Sequence, residues 1–323
     1  MQLVYGIVGE AACRGGFVSI GNFDGVHLGH AKIISKLVSR ARGAGHPAVV
    51  LTFDPHPIEL LRAGMAPPLL STIEDRARFL GEMGVDVLVA FPTTLEMLRL
   101  DPDQFFREVV TEQLDARGLV EGPNFCFGRD RRGDIGVLSQ LCENAGVALD
   151  VVEPESIGSE LVSSSRIRSL LARGDVQSAT GLIGRAYSVR GIVTAGEGRG
   201  RKLGVPTANL SRIVTLVPGD GVYVGAARVD GRRQPAAIHV GSNPTFGETV
   251  VKVEVHLLAF DGDLYDQELS VQFLERVRGT VEFESVDALR EQVAEDIEAV
   301  WRYVEVHPAD DAETGGLGES KLS

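Results

Sequence analysis

Five short apolar runs, FVSI (17–20), AVVLTF (48–53), VDVLVAF (85–91), GLV (118–120) and VALDVV (147–152), alternate with stretches of helical periodicity, and that rhythm stops near residue 185. Unbroken apolar runs are the pattern of strands buried on both faces, and their alternation with helices is the βαβ rhythm of a parallel sheet. Helix starts are legible within it: Ser71 followed by Glu74 fits a capping box, and Asp101 followed by Pro102 fits an N-cap with proline at the first helical position. Beyond residue 185 the segments YSVRGIVTAG, GVYVGAARV, PAAIHVG, VVKVEVHLLAF and ELSVQFL are short, β-rich and separated by Gly, Asp and Pro turns. That style predicts an antiparallel sheet or small barrel. A closing helix is expected where Val286, Leu289, Val293, Ile297 and Trp301 recur at spacings of three and four. The expected organisation is an α/β domain over 1–185, a small antiparallel β-barrel domain with a C-terminal helix over 186–307, and a disordered tail over 308–323. The bridge LARGDVQSATGLIG reads as a short helix and turn rather than a free linker.

A chain of 323 residues has room for two domains, each able to bury a core. With 32 basic and 45 acidic side chains the formal net charge is -13, which argues against nucleic acid or an anionic membrane as the main partner. Any anionic ligand must therefore be held by a local cluster. Cys13, Cys126 and Cys142 are widely spaced and lack a CxxC or CxxH companion, so neither a disulfide framework nor a zinc site is expected. The start MQLVYGIVGE has no basic leader, and no stretch approaches the roughly 18 apolar residues of a membrane span. A cytoplasmic, soluble protein without a membrane partner is expected, as a monomer or weak homo-oligomer.

Unusual polar residues gather just after expected strands: GNFDGVHLGH after the first, FDPHP after the second and EGPNFCFG after the fourth. In an open parallel sheet those carboxyl ends are where ligands bind. Gly21, Gly25 and Gly29 allow a sharp turn and close approach to backbone N–H groups, while His27 and His30 open the helix AKIISKLVSRA. A helix N-terminus favours phosphate, and histidines there can donate to a polyphosphate as charge builds on it. A purely structural turn fits the spacing equally well. Zinc does not, because His-x-x-His has no third ligand nearby.

In the second half GRGRKLGVPTAN is neither a GxxxxGK[ST] loop nor a GxGxxG fingerprint. Gly198, Gly200 and Gly204 give flexible backbone, and Arg199, Arg201 and Lys202 give positive charge in an acidic chain; taken alone, a β-turn with a solvated basic face is the favoured reading, ahead of a phosphate cradle. Strand alternation places Lys252, Glu254 and His256 on one face of VVKVEVHLL and Val251, Val253, Val255 and Leu257 on the other. By itself that polar face reads as exposed.

The resemblance changes these weights. FDGVHLGH is similar to the HxGH signature of the nucleotidyltransferase superfamily. Together with TFDPHP, GPNFCFG and SSSRIR (163–168), it resembles the adenylyltransferase module of bifunctional prokaryotic riboflavin kinase/FMN adenylyltransferases, the FAD synthetases. GEGRGRKLGVPTANL (196–210), GVYVG (221–225), NPTFG (243–247), VEVHLLAFDGDLY (253–265) and FES (283–285) continue that family's pattern, so the match runs from about residue 15 to 305.

The resemblance implies a Rossmann-like α/β nucleotidyltransferase domain of HxGH type followed by a riboflavin kinase barrel. It implies ATP as co-substrate, Mg2+ as cofactor, and riboflavin and FMN as the flavins handled. Gly21, Phe23, Asp24, Gly25, His27 and His30 would bind ATP in the first domain, His27 and His30 at its phosphates. Ser164, Ser165, Arg166 and Arg168 would close on the polyphosphate, where arginine's fork suits phosphate oxygens; without the resemblance a solvated helix face fits them as well. Asn124 and His56 would contact flavin, though His56, between Pro55 and Pro57, could equally just shape its loop. In the kinase, Gly198, Gly200, Lys202, Gly204, Thr207 and Asn209 would hold ATP, with Thr207 and Asn209 also on magnesium, and Glu254 would be the catalytic base.

Two departures stand out. Arg278 is followed by GTVEF, with Val281 and Glu282 where the family commonly has lysine, which puts flavin or nucleotide contacts from that segment in doubt. EG at 121–122 and HVG at 239–241 replace commoner VG and IG contexts and are read as neutral changes. Two rivals accompany the bifunctional reading: a monofunctional nucleotidyltransferase whose second domain only binds flavin, and a flavin-binding regulator that has lost its chemistry. Intact His27, His30, Thr207, Asn209 and Glu254 count against the second.

Overall fold

The structure is a computed structural model that describes residues 1–6, 11–158, 160–196, 198, 200, 204–242 and 251–307. Lys202 with Arg199 and Arg201, the NPTFG stretch at 243–247 and the expected tail at 308–323 lie outside the described residues. Contacts divide the chain into two compact units, Met1–Ser164 and Ser165–Ser323.

In the first unit six parallel strands, β1 (Gln2–Tyr5), β2 (Phe17–Ile20), β3 (Ala48–Asp54), β4 (Val87–Pro92), β5 (Gly118–Glu121) and β6 (Ala148–Val151), lie in the order β1-β4-β3-β2-β5-β6. All but β1 were expected. The sheet is buried on both sides, so successive residues enter opposite cores: Val18, Ile20, Val49 and Leu51 pack with Phe105, Val109 and Leu138, whereas Phe17, Val50 and Leu88 pack with Ile34, Leu37 and Leu80. Truncating one such side chain to alanine typically costs about 2–5 kcal/mol.

Helix α1 (Leu28–Ala44) carries the chain from β2 to β3, and β5 lies on the other side of β2, so the strand order reverses between β2 and β5. Their backbone pairing stops after Phe17–Gly118 and Val18–Leu119. This is the crevice where doubly wound sheets bind ligands. Short α2 (Pro57–Leu61) follows β3, and α3 (Ile73–Glu82) precedes β4. The capping box expected on Ser71 is displaced by one residue, because Thr72 is the N-cap and accepts from Asp75 N. The Ser71 hydroxyl is engaged elsewhere, by Gly25 N and Asp24. The Asp101 expectation holds: Asp101 and Gln104 form a reciprocal capping box on α4 (Pro102–Phe105), which continues as a π-helical stretch, Phe106–Gln113. Helix α5 (Ile135–Ala145) leads to β6, and β7 (Ser156–Ile157) pairs with β8 (Glu160–Leu161).

Helix α6 (Ser164–Ala172) begins at the division between units. Helix α7 (Val176–Ile183) is capped by Asp175, so the bridge is folded helix as expected. Strands β9 (Tyr187–Thr194), β10 (Ala208–Ser211), β11 (Gly221–Val229), β12 (Arg232–Gly241), β13 (Lys252–Leu257) and β14 (Glu268–Arg278) close an antiparallel barrel in the order β10-β13-β12-β11-β14-β9, with α7 packed on β9 and β14. Burial alternates along β9 and β13, the signature of one face turned to the barrel core.

The last helix, α8 (Val286–Val306), is capped by Ser285. Its packed face differs from the expected stripe: Val286 and Trp301 are exposed, whereas Val300 and Asp296 are buried. Asp296 accepts two bonds from Arg278, at 2.8 and 2.7 Å. A paired carboxylate can thus occupy a position that apolar periodicity assigns to outside.

Candidate active sites

The turn after β2 is held by buried charge. The Asp24 carboxylate accepts from Leu70 N and Ser71 N at 3.0 Å, from Ser71 Oγ at 3.1 Å and from an Arg76 guanidinium nitrogen at 3.2 Å. Both partners of that ion pair are almost fully buried. Breaking such a pair costs about 3–5 kcal/mol, because the remaining charge is stranded. Gly25 adopts φ +82° while its N–H donates to Ser71 Oγ at 2.8 Å, and a Cβ there would stand 3.0 Å from Leu70. Phe23 and Val26 also have positive φ, 46° and 39°. Such strain persists where surrounding bonds over-determine it, as the Asp24 network does here.

That strained turn delivers two imidazoles. His27 is the N-cap of α1, its Nδ1 accepting from His30 N at 3.3 Å, which leaves Nε2 as the nitrogen carrying the ring proton. The His27 and His30 rings stack with centroids 3.6 Å apart, and Phe23 flanks His30 at 5.1 Å. Ser164 Oγ donates to Asp24 O at 3.0 Å, tying the start of α6 to the turn. Ser165, Arg166 and Arg168 follow on α6, in the second unit. His56 caps α2 through Nδ1, which accepts from Ile58 N at 3.1 Å, and its Nε2 lies 2.9 Å from the Asn22 amide.

A cleft of about 250 Å³ opens beside the turn. Among its lining residues are Gly21, Phe23, His27, His30 and Asn124, so the structure brings five expected residues to one wall. Asp24, Gly25 and His56 do not line it; the first two build the turn behind it. Asn22 and Glu121 line it and were not anticipated as site residues. Glu121 is buried, its Oε1 accepts from Ile20 N at 2.7 Å, and desolvation pushes its carboxyl well above the usual carboxylate range. On the packed side the Cys142 thiol is pushed up to about 11, first by burial and then by the nearby Glu121.

In the barrel, Lys252, Glu254 and His256 are half-buried while Val253, Val255 and Leu257 face the core, as alternation predicted; Val251, outside the strand, is exposed. Glu254 stands opposite Asn209 on β10 and opposite His239 on β12. His239 Nδ1 and Glu254 Oε2 are 3.6 Å apart. Three strands thus bring an amide, a carboxylate and an imidazole into one row. His239 had no local signal, since its neighbour lies in another strand and the pairing is not local. His256 Nδ1 lies 2.8 Å from Pro206 O, just before Thr207.

Backbone approaches the polar start of β10 closely. A Cβ at Gly196 would fall 2.3 Å from Asn209 Nδ2, and one at Gly200 would fall 2.4 Å from Val205 O and 3.2 Å from Thr207 Oγ1. Gly198 and Gly204 have φ +68° and +83° in the same loop. A hydroxyl and an amide beside closely approaching glycine backbone fit a magnesium ion that takes its remaining oxygens from water and nucleotide. Arg278, the residue before the departure GTVEF, is committed to Asp296 and lies 5.7 Å from the Phe283 ring.

Comparison with known proteins matches a family to each part of the chain. The sequence pattern of the family described as FAD synthetase matches residues 10–166, and that of riboflavin kinase matches residues 183–304. A bifunctional riboflavin kinase/FMN adenylyltransferase of Pseudomonas fluorescens is 35% identical over 301 residues, covering 93% of this chain and 96% of that protein. The similarly named protein of Escherichia coli strain K12 is 31% identical over 299 residues, covering 92% and 96%. A crystal structure described as a macrolide-efflux protein from Streptococcus pneumoniae is similar with a TM-score of 0.82 at 28% identity, covering 93% of this chain and 99% of that one. Among the described residues of the present chain no helix is long and apolar enough to cross a membrane.

Proposed function

The chain belongs to the family of bifunctional riboflavin kinase/FMN adenylyltransferases, and from that premise we propose which residues carry each of its two reactions. It is an enzyme with both activities: it phosphorylates riboflavin to FMN and adenylylates FMN to FAD. ATP is the co-substrate of both steps, and the chemical boundary lies at residues 185–186. The protein works in the cytoplasm as a monomer or weak homo-oligomer.

In the adenylylation step an FMN phosphate oxygen attacks the α-phosphorus of ATP, a new P–O bond forms, and the bond to the leaving pyrophosphate breaks. His27 and His30 donate hydrogen bonds to phosphate oxygens as negative charge grows there, and the N-terminus of α1 adds its partial positive charge. Asn124 positions flavin in the same cleft. In the kinase step the terminal ribityl hydroxyl attacks the γ-phosphorus and ADP leaves. Glu254 accepts the hydroxyl proton, and His239 beside it at 3.6 Å orients the carboxylate. Thr207 and Asn209 would hold Mg2+, which when bound offsets phosphate charge. Neither step needs a covalent enzyme intermediate, because positioning and charge stabilisation carry phosphoryl-type transfer.

The observation that supports this reading is convergence: His27, His30 and Asn124 share one cleft inside the segment matched as FAD synthetase, and Asn209, Glu254 and His239 share one row inside that matched as riboflavin kinase. Incubating the purified protein with riboflavin, ATP and magnesium and separating the flavins tests it. FMN appears first and FAD follows. FMN accumulating without FAD would overturn the adenylylation half, and unchanged riboflavin the kinase half.

A further inference from the structure

Glu121 ends β5 at the point where the β2–β5 ladder has stopped. In a continued ladder the Ile20 N–H would meet a β5 carbonyl; here it donates to Glu121 Oε1 at 2.7 Å. One carboxyl oxygen is therefore committed to the sheet. The other makes no hydrogen bond to the protein among the described residues, and the side chain lines the cleft. The residue is 3% exposed, and burial favours its neutral form. A buried neutral acid has one O–H to donate, and leaving that donor unpaired costs free energy.

The groups around it narrow what can accept. His27 and His30 share the cleft from the start of α1, and Glu153 and Glu155 share it from the segment after β6. Glu155 is paired with Lys32 at 3.0 Å, and on β6 Asp150 is held by Lys36 and Arg40. Cys142 packs behind from α5, its thiol kept protonated at neutral pH. No cation among the described residues pairs with Glu121. Glu153 and Glu155 add carboxylates to the lining, and a neutral donor among them suits an uncharged acceptor better than a phosphate oxygen. Its other lining, Ile20, Ile33, Pro123, Phe125 and Val152, is apolar and suits a flat ring.

Resting on the adenylylation reading above, we propose that Glu121 is a binding residue of that site, donating a hydrogen bond from its free carboxyl oxygen to an acceptor atom of a planar nitrogen heterocycle. The adenine of the nucleotide and the ring of the flavin both offer such acceptors. The EG departure is then a functional substitution rather than a neutral one.

FAD formation from supplied FMN and ATP is measured for the wild type, Glu121→Val and Glu121→Gln, with KM taken for each substrate. Glu121→Val removes the donor and raises one KM about tenfold, as expected for one lost hydrogen bond with a buried partner, with kcat changing much less. A rise for ATP identifies adenine; a rise for FMN identifies the flavin ring. Glu121→Gln keeps an N–H donor, so its shift stays within about threefold. Both KM values unchanged in Glu121→Val, or equal shifts in the two variants, would overturn the proposal. Calorimetric titration of each protein with ATP and with FMN separates the two readings. Absent turnover with Glu121-dependent binding would overturn only the catalytic assignment, and binding indifferent to residue 121 would overturn this one.

Discussion

The two candidate sites are built in opposite ways. In the parallel-sheet unit, residues 21–30 supply both histidines from one turn, held at positive φ by a buried network of Asp24, Ser71 and Arg76. In the barrel, Asn209, His239 and Glu254 come from three strands with ordinary strand geometry, and pairing register alone makes them neighbours. The first candidate site is local in sequence and rests on a strained, buried scaffold. The second is dispersed in sequence, half-buried, and set by register. A turn places groups through strain offset by buried bonds; a barrel places them through strand alternation.

If that contrast is right, each reaction can be damaged without the other. The largest effect is expected for Glu254→Gln, which keeps size and one acceptor but cannot take a proton. FMN formation should fall about 100- to 10,000-fold, while FAD formation from supplied FMN continues. A variant retaining more than about a tenth of its kinase rate would make Glu254 a spectator and leave the barrel row without a base. Next comes His30→Ala, expected to slow FAD formation on the order of 100-fold with FMN formation nearly untouched. Equal loss of both products would show that the turn supports more than its own unit. The smallest effect sharpens the contrast at the level of stability. Hydrogen bonds from Arg42 hold the Asp86 carboxyl below its ordinary value of 3.8. Stability from this pair is present above that value and is lost as pH falls through the lower folded one. Arg42→Ala should therefore lower the urea midpoint of the first unit slightly at pH 7, and the difference should vanish in acid. A difference that grows on acidification would contradict the assignment.

Much of this was legible in sequence because both rhythms are periodic. Strands β2 to β6 are apolar runs between helices, and β13 alternates over its whole length. The histidine turn was legible because its residues are consecutive. What escaped notice was short or non-local. Strand β1 was not singled out, and β10 reads ANLS, with a single large apolar residue. Ser71 looked like a cap, but its hydroxyl is spent on the turn, and Thr72 caps instead. His239 and Glu121 gained their meaning only when pairing set Glu254 and the Ile20 N–H beside them. Asp296 broke the expected stripe of α8 because Arg278, from another strand, neutralises it.

The central claim is that phosphorylation and adenylylation are lodged in different units of one chain. Mixing the Glu254→Gln and His30→Ala proteins with riboflavin, ATP and magnesium tests it most directly. Each variant alone should make little FAD, the first for want of FMN and the second for want of adenylylation. Together they should make FAD, because FMN released by one is taken up by the other. A mixture in which FMN accumulates and FAD does not, although Glu254→Gln alone adenylylates supplied FMN, would contradict exchange between sites. One in which neither flavin forms would contradict the division of chemistry itself.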